Sequence, residues 1–548
     1  MRRHQIISLI IAVVAAIFYV PLTGRLHLFD WDEINFAESA REMLLTGDYL
    51  TVRIFFEPFW EKPPLFIWFQ VLSMKIFGVN EFAARFPNAI AGIITLVALF
   101  NMGRKILNEK FGIIWTIAYG VSLLPFLYFK SGIIDPFFNL FIFLGVANYI
   151  YAQKAVISKH KYIRIILSAF FIGLAVLTKG PVALLVFGLL AVVLLFTERF
   201  ILFLHFGHVL LFIAVFIVTG GFWFILQIFA GNAQTIIDFF VYQFRLFSQK
   251  DAGHGGFPLY HFVVLFFGVF PASVFVINAH KKTYSENELL LYFRKTMLAL
   301  FWIVLILFSI VKTKIVHYSS LCYFPMSFLA AYSIYGFVSG KKKFPSWLLW
   351  TQLSLGLIYG LIITAFPVFD KYKQWFIDTG KITQAFTVGN LQAEPGWSGF
   401  EFLIGLLLIA GIVYSFFLLK RAENSKGLKI MAATSVLFIS LSVVFVSPKV
   451  EKYSQHAAIE FFKSIKGKDA YIHTFYKSYA MLFYTKALPQ ENSKAFNLGW
   501  LVTGKIDKDA YIVIRADKKE STMSNYPGME VLYEKNGYVF CIRKAQAN

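Results

Sequence analysis

Cysteine and charge are both scarce in this chain, and each scarcity excludes a class of protein. Only two cysteines occur among 548 residues, Cys322 and Cys541, so the sequence offers neither a disulfide framework nor a thiolate metal cluster. Charged residues make up 15% and apolar residues 58% of the chain, whereas about a quarter of a soluble globular protein is charged. The composition therefore predicts a polytopic membrane protein.

Several signatures of soluble enzymes are also missing. The sequence has no Walker loop, dinucleotide-binding glycine motif, HExxH zinc motif or Ser-His-Asp order, and no internal repeat. No small-x-small cleavage site follows the first apolar stretch, Ile6 to Val20, so we interpret it as an uncleaved span rather than a signal peptide. The formal net charge of +21 lies in short basic runs between apolar segments, where it sets membrane topology rather than binding nucleic acid.

Thirteen apolar stretches have close to the roughly 20 residues that a helix needs to cross a bilayer. They cover residues 5–23, 82–102, 112–129, 136–152, 165–179, 181–197, 202–228, 259–279, 296–311, 318–338, 346–367, 399–419 and 428–446. The pair at 165–197 is short, which leaves the count open by two. Lysine and arginine accumulate in alternate loops, so the positive-inside rule predicts a cytoplasmic N-terminus.

The composition changes after residue 446, and we predict two domains. Residues 1–446 form the transmembrane domain, with a first extracytoplasmic loop at about 24–81, and residues 447–548 form a small α/β domain. The latter shows a helical pattern at 459–462, strand patterns at 470–473 and 511–514, and a hairpin at 531–542 around Asn536-Gly537. An odd number of spans puts this domain on the extracytoplasmic side.

The most unusual stretch is the first loop, where six acidic residues fall within nineteen positions. They are Asp30, Asp32, Glu33, Glu38, Glu42 and Asp48. Glu33 to Leu45 predicts a helix along the membrane surface that stops at Gly47. Helix capping accounts for one or two of the first three acids, and we predict a functional role for Asp32. The last three acids are expected to be solvated.

Other polar motifs fall on the same predicted side of the membrane, which favours one shared site. In FWEKPP, two prolines restrict the chain before them to extended conformations, so Lys62 is predicted to be functional rather than merely exposed. Asp135 precedes Pro136 and is interpreted either as a helix cap or as a second carboxylate of the site. Five further residues each have two interpretations. In the ordinary one, their side chains reach the lipid headgroups or are simply exposed. In the functional one, they bind phosphate or, for the histidine, a metal ion. These five residues are Lys179, Arg245, Lys314, His254 and Tyr318.

Seven motifs, taken in chain order, resemble those of one family. They are DE, AREMLLTGDYLTV, FWEKPPL, FGVNEFAARFP, SGIIDP, TKGP and KIVHY. The chain is similar to the lipid-A aminoarabinose transferases and their wider class of polyprenyl-phosphate-sugar-dependent glycosyltransferases, related to protein O-mannosyltransferases. The resemblance covers roughly residues 5–340, and its first 90 residues are the specific part.

The resemblance implies an α-helical GT-C membrane fold with juxtamembrane helices and a sugar donor carried on undecaprenyl phosphate. It implies catalytic roles for Asp32 and Asp135, and Glu33, the neighbour of Asp32, is a further catalytic candidate. It further implies that Lys62 and Tyr318 contact phosphate. Lys179, Arg245 and Lys314 are predicted on the same membrane side, so we expect them to add positive charge for the donor phosphate. Glu61 and His254 would complete a divalent metal site, for zinc or magnesium.

Two departures from the family pattern concern the substrate rather than the enzyme class. Asn35 stands where the family commonly has an arginine, and Lys314-Ile315-Val316 replaces a lysine-leucine-proline. We therefore expect transfer of a sugar to an extracytoplasmic acceptor, lipid A or another envelope glycolipid, by single displacement with inversion. A protein O-glycosyltransferase and a flippase for polyprenyl-linked sugars are the alternatives. The expected protein is a monomer in the bacterial inner membrane, with membrane lipids and a lipid or protein acceptor as partners.

Overall fold

The computed structural model describes residues 2–29, 31–155, 157–198, 205–248, 255–280, 287–340 and 344–546. These residues form a large helical bundle followed by a small sheet. The first nine helices are α1 (Arg3–Tyr19), α2 (Asp32–Thr46), α3 (Leu65–Phe77), α4 (Glu81–Ile106), α5 (Glu109–Gly120), α6 (Leu123–Tyr128), α7 (Asp135–Lys154), α8 (Ser158–Lys179) and α9 (Val182–Thr197).

The bundle continues through α10 (Phe206–Gly220), α11 (Phe222–Phe229), α12 (Ala233–Ser248), α13 (Tyr260–Gly268), α14 (Ala272–Asn278), α15 (Glu288–Ile310), α16 (Tyr323–Val338), α17 (Ser346–Asp378), α18 (Ala385–Leu391), α19 (Phe402–Lys420), α20 (Asn424–Leu441) and α21 (Ser447–Glu451). A 3₁₀ segment, Val316–Cys322, leads into α16, and a π-helical turn, Ser442–Val446, separates α20 from α21.

Helices occupy all thirteen segments in which the sequence predicts a span. Within the described residues, seven helices are long and apolar enough to cross a membrane, or nine if the bent pairs α10–α11 and α13–α14 each count as one span. Three shorter apolar helices, α1, α3 and α9, add to these. The protein is therefore a multi-pass helical membrane protein, and the number thirteen stays a prediction.

The first loop folds back against the bundle through α2, which begins at Asp32 and ends where Gly47 adopts a left-handed φ of 70°. This matches the predicted helix and its glycine stop. The expected solvation of Glu38 and Glu42 is wrong, because both side chains are fully buried. A short hairpin follows, with β1 (Arg53–Ile54) paired to β2 (Glu57–Pro58).

The C-terminal segment contains the predicted helix and all four predicted strands. Its elements are α22 (His456–Ser464), β3 (Tyr471–Thr474), α23 (Ala480–Thr485), α24 (Leu498–Thr503), β4 (Ala510–Arg515), α25 (Lys519–Asn525), β5 (Glu530–Lys535) and β6 (Tyr538–Arg543). The strand order is β3-β4-β6-β5, with β3 parallel to β4 and the other pairs antiparallel. Asn536 and Gly537 both have positive φ, as the predicted hairpin turn requires.

This C-terminal segment packs directly on the first loop. Arg41 of α2 donates to the carbonyl of Ala487 over 2.7 Å, and the Tyr484 hydroxyl accepts from the backbone N–H of Leu28 over 2.7 Å. The Phe55 ring stacks on His473 at 5.8 Å between centroids. The segment therefore covers the loop that carries the acidic motif, and the predicted boundary at residue 447 remains a prediction.

Candidate active site

A cavity of about 280 Å³ collects side chains from widely separated parts of the sequence. Its wall draws on the start of α2, the segment before α3, the start of α7, the end of α8, α12 and the 3₁₀ segment before α16. The acidic first loop, SGIIDP, TKGP and KIVHY, which are predicted to share one membrane face, all contribute side chains to it. The polar side chains that line it include Asp32, Glu61, Lys62, Asp135, Lys179 and His317.

Asp32 lies at the first position of α2, with its side chain 30% exposed. Its Oδ2 is 3.2 Å from Nε2 of His317. The preceding residue, Trp31, has φ 82° and ψ −112°, a backbone conformation that side-chain-bearing residues rarely adopt. The chain thus turns sharply at the point where it presents this carboxylate to the cavity.

Asp135 is held by partners from two other elements. Its Oδ1 accepts a hydrogen bond of 2.7 Å from Nζ of Lys179 and one of 3.3 Å from the Ser320 hydroxyl. Asp135 is the first residue of α7, and its side chain reaches this ion pair instead of capping the helix. Its buried Oδ2 has no hydrogen-bond partner among the described residues, so one oxygen is left for a ligand that can donate a proton.

Glu61 and Lys62 enter the cavity from the stiff segment before Pro63. Burial lowers the pKa of Lys62, and the carboxylates of Glu61 and Asp32 oppose that shift by favouring the charged ammonium. The Lys62 ammonium also lies 5.7 Å from the centre of the Tyr242 ring, within cation–π range. A cation held inside a partly dry cavity is suited to binding an anionic ligand.

The KIVHY motif supplies the opposite wall. The Lys179 ammonium is 5.4 Å from the ring centre of Tyr318 and 5.6 Å from that of Phe138. His317, beside Tyr318, pairs with Asp32 as described above. His317 of this motif thus pairs with the Asp32 carboxylate. Tyr318 lies beside Lys179, which together with Ser320 binds the Asp135 carboxylate.

Arg245 and Lys314 lie outside the set of residues that line the cavity. The Arg245 guanidinium is exposed, 5.1 Å from the Tyr242 ring centre. The Lys314 ammonium donates to the carbonyls of Phe308 and Ser309 over 2.9 and 2.6 Å, where it satisfies the C-terminal end of α15. Two of the three N–H donors of Lys314 are thus used by helix carbonyls, and its proposed role in binding phosphate stays a prediction.

Glu33 also turns away from the cavity. Its carboxylate pairs with Arg85 through two contacts of 2.9 and 2.7 Å and accepts the backbone N–H groups of Phe29 and Gly132. Arg85 in turn donates to the carbonyls of Thr23, Leu26 and His27. These contacts make Glu33 an anchor for the first loop and leave the catalytic role predicted for it without support from its position.

Glu61 and His254 are the two predicted metal ligands. Glu61 lines the cavity, whereas His254 lies outside the described residues. The described histidine, cysteine and acidic side chains do not converge on Glu61 as a set of three. Three that do converge, His27, His456 and Glu460, lie at the junction with the C-terminal segment. The described residues therefore do not complete a metal site in the cavity.

Sequence reasoning missed three cavity residues. Lys477 comes from the C-terminal segment, and its ammonium lies 4.5 Å from the ring centre of Trp31. Tyr242, on α12, faces Lys62. A lone lysine 445 positions downstream of Asp32 carries no local pattern that points to it. In KIVHY, the sequence pattern singles out Lys314 and Tyr318 but not His317.

The chain resembles known proteins in both sequence and fold. Residues 61–223 match the family model described as dolichyl-phosphate-mannose-protein mannosyltransferase. The chain is 26% identical over 368 residues to the undecaprenyl phosphate-alpha-4-amino-4-deoxy-L-arabinose arabinosyl transferase of Pectobacterium carotovorum subsp. carotovorum (strain PC1), covering 65% of this chain and 64% of that protein. It is 28% identical over 335 residues to the protein of that name from Serratia proteamaculans (strain 568), covering 59% and 58%.

The matched region thus spans less than two thirds of each of these relatives. The fold extends further, since ArnT from Cupriavidus metallidurans bound to undecaprenyl phosphate superposes with a TM-score of 0.75 over 98% of this chain and 99% of that one, at 16% identity. Its apo structure superposes equally well. The fold is therefore of the GT-C type. In sequence over part of its length, and in fold over nearly all of it, the chain is thus similar to these arabinosyl transferases, and residues 61–223 relate it to the mannosyltransferase family.

Proposed function

We propose that this protein is an integral-membrane glycosyltransferase that moves a sugar from an undecaprenyl-phosphate-linked donor to an extracytoplasmic acceptor. The observation that carries the proposal is the single cavity in which Asp32 and Asp135 face Lys62 and Lys179. Such a site combines what this reaction needs, namely cations for a leaving phosphate and a carboxylate for an attacking hydroxyl.

The leaving group is a lipid phosphate, on which negative charge develops as the bond to the sugar breaks. Lys62 and Lys179 hold fixed positive charge in the cavity, where partial exclusion of water strengthens their effect on that charge. Phe240, Phe244 and Leu185 also line the cavity and provide an apolar surface for the carrier chain. Lys179 is pre-positioned by Asp135, so its ammonium needs little reorganisation when phosphate binds.

Asp32 is the proposed general base. The acceptor hydroxyl attacks the anomeric carbon, the bond from that carbon to the phosphate oxygen breaks, and undecaprenyl phosphate leaves. The hydroxyl proton passes to the Asp32 carboxylate, which His317 orients from 3.2 Å. Attack from the side opposite the leaving phosphate inverts the anomeric carbon. The free Oδ2 of Asp135 accepts a hydroxyl of the bound sugar or acceptor and fixes its orientation.

The names of the relatives support the undecaprenyl-phosphate donor. Lipid A or another envelope glycolipid is proposed as the acceptor on the resemblance of the sequence motifs alone. All of these motifs are predicted on the side away from the basic loops. This prediction favours a reaction and a C-terminal segment on the periplasmic side of the inner membrane, with the N-terminus in the cytoplasm. Metal binding by Glu61 and His254 remains part of the proposal through family resemblance alone.

The test uses purified protein, undecaprenyl-phosphate sugars radiolabelled in the sugar, and a membrane extract as acceptor. Wild-type protein should transfer label from the donor, and a folded Asp32→Asn variant should not. Asp48→Asn is the matched control, because Asp48 lies in the same loop but does not line the cavity. Label in the lipid fraction indicates a glycolipid acceptor, and label in protein indicates an O-glycosyltransferase. Equal transfer by both aspartate variants would remove Asp32 from the chemistry, and lipid scrambling without transfer would indicate a flippase.

A further inference from the structure

A second cavity, of about 320 Å³, lies at the other end of the bundle. The segment that begins at His317 and Tyr318 in the first cavity ends at Val338 in the second. About 20 helical residues separate these points, which corresponds to about 30 Å, the thickness of the bilayer core. The two cavities therefore belong to opposite faces of the membrane.

The rim of this second cavity is cationic. It carries Arg3, Glu109, Lys110 and Lys429, which lie at the starts of α1, α5 and α20. Glu109 is the rim's carboxylate, and its Oε2 is already paired with Nε of Arg3 at 3.1 Å. Among the described residues, neither Lys110 nor Lys429 forms an ion pair. The rim thus offers two exposed ammonium groups whose charge no carboxylate of the rim balances.

The interior behind this rim is apolar and runs toward the middle of the membrane. Its wall comes from α5, α14, α16 and α20, including Ile113, Ile117, Phe275, Ile334 and Met431. The Lys110 side chain is exposed, and its ammonium lies 5.8 Å from the ring centre of Tyr335. The cationic rim is complementary to an anionic headgroup, and the apolar interior behind it is complementary to a hydrocarbon tail. The cavity therefore fits an anionic amphiphile.

We propose that this cavity binds an anionic glycerophospholipid of the leaflet that faces the N-terminus. Its phosphate lies between Lys110 and Lys429, and one acyl chain runs along Ile113 and Met431. Basic pockets between transmembrane helices on this side are suited to such headgroups. The net charge favours an anionic lipid over a zwitterionic one, because phosphatidylethanolamine adds an ammonium beside the two lysines.

The test measures lipid binding to the full chain in detergent, by native mass spectrometry with phosphatidylglycerol, cardiolipin or phosphatidylethanolamine added. Wild-type protein should retain the anionic lipids preferentially. The double variant Lys110→Gln with Lys429→Gln should bind them about 30-fold more weakly. These side chains are exposed, so the protein should fold normally.

A matched control removes two positive charges from the same membrane face without touching the cavity. Lys420→Gln with Arg421→Gln meets this condition, since both residues are exposed and neither lines the cavity, and it should leave lipid binding unchanged. Equal losses in both double variants would mean that only general surface charge attracts lipid, and would overturn the proposal. Preferential retention of undecaprenyl phosphate would also overturn it, since the occupant would then be a polyprenyl lipid. Ala432→Phe narrows the shaft and should reduce binding while both lysines remain.

Discussion

Two groups of acidic side chains lie on the short helix α2, and they differ in what surrounds them. At its start, Asp32 is partly exposed in a cavity and pairs with a histidine. Farther along, Glu38 and Glu42 are fully buried, and Glu38 pairs with Arg41 at 2.5 Å. The same helix therefore carries one carboxylate, that of Asp32, which is available to a ligand, and three, those of Glu33, Glu38 and Glu42, which are buried inside the protein.

The difference comes from the elements that pack on each part of the helix. The C-terminal segment covers the distal half, where Arg41 reaches Ala487, while the bundle leaves space beside the first turn. A cluster of acidic residues in a sequence is thus a poor predictor of a functional site. What distinguishes Asp32 is that opposite walls of a cavity bring Lys62 and Lys179 near it.

The largest expected effect is on catalysis. Asp32→Asn should lower kcat about 10³-fold, because the amide cannot accept the acceptor's proton. Thermal stability should change little, since the side chain is partly exposed. Donor binding, measured separately, should remain within a few-fold of wild type. A variant that loses stability as severely as activity would contradict the contrast between the two groups of acids.

The reverse pattern is expected for Glu33→Gln. This change leaves the buried Arg85 without its anionic partner, so the free energy of unfolding should fall by about 3 kcal/mol. Denaturation in mixed detergent would measure this, with Glu57→Gln in the exposed hairpin as the control. Activity per folded molecule should stay near that of wild type, and a catalytic loss in fully folded protein would return Glu33 to the active site.

Glu42 should make stability depend on pH. Burial, reinforced by the neighbouring Glu38, raises the pKa of Glu42 from 4.5 to about 9. The folded protein therefore keeps a proton that the unfolded chain loses, and stability should fall as the pH rises between these two values. The slope is at most about 1.4 kcal/mol per pH unit.

Glu42→Gln should flatten this dependence, whereas Glu394→Gln, at an exposed position, should not. Thermal unfolding between pH 5 and pH 9 gives the slope for each variant. An unchanged slope in Glu42→Gln would mean that another group holds the proton.

A smaller effect tests the C-terminal segment. Lys477→Ala removes a cation from the rim of the active-site cavity beside Trp31, and KM for the substrate that it contacts should rise about tenfold with little change in kcat. Lys468→Ala is the matched control, because its ammonium lies at a similar distance, 5.1 Å, from the Tyr511 ring but outside the cavity. Identical kinetics in the two variants would limit the C-terminal segment to a structural role.

Local patterns predicted the elements well. Gly47 ends α2 as expected, and Asn536-Gly537 forms the turn of the terminal hairpin. Both depend on backbone conformations that glycine and asparagine adopt at low cost. The side chains of Glu33 and Lys314 were harder to place, because each has a partner that sequence spacing does not reveal, Arg85 in one case and the carbonyls at the end of α15 in the other.

The sequence by itself determined a helical membrane protein, since apolar runs near 20 residues can satisfy their backbone hydrogen bonds in a bilayer only as helices or closed barrels. It also determined that Asp32, Lys62, Asp135 and Lys179 are candidates, because polar groups at membrane boundaries are costly and few. Only the tertiary structure decided which of these meet, and that Lys477 joins them. Those decisions rest on contacts between residues far apart in the chain, which packing creates and no local pattern encodes.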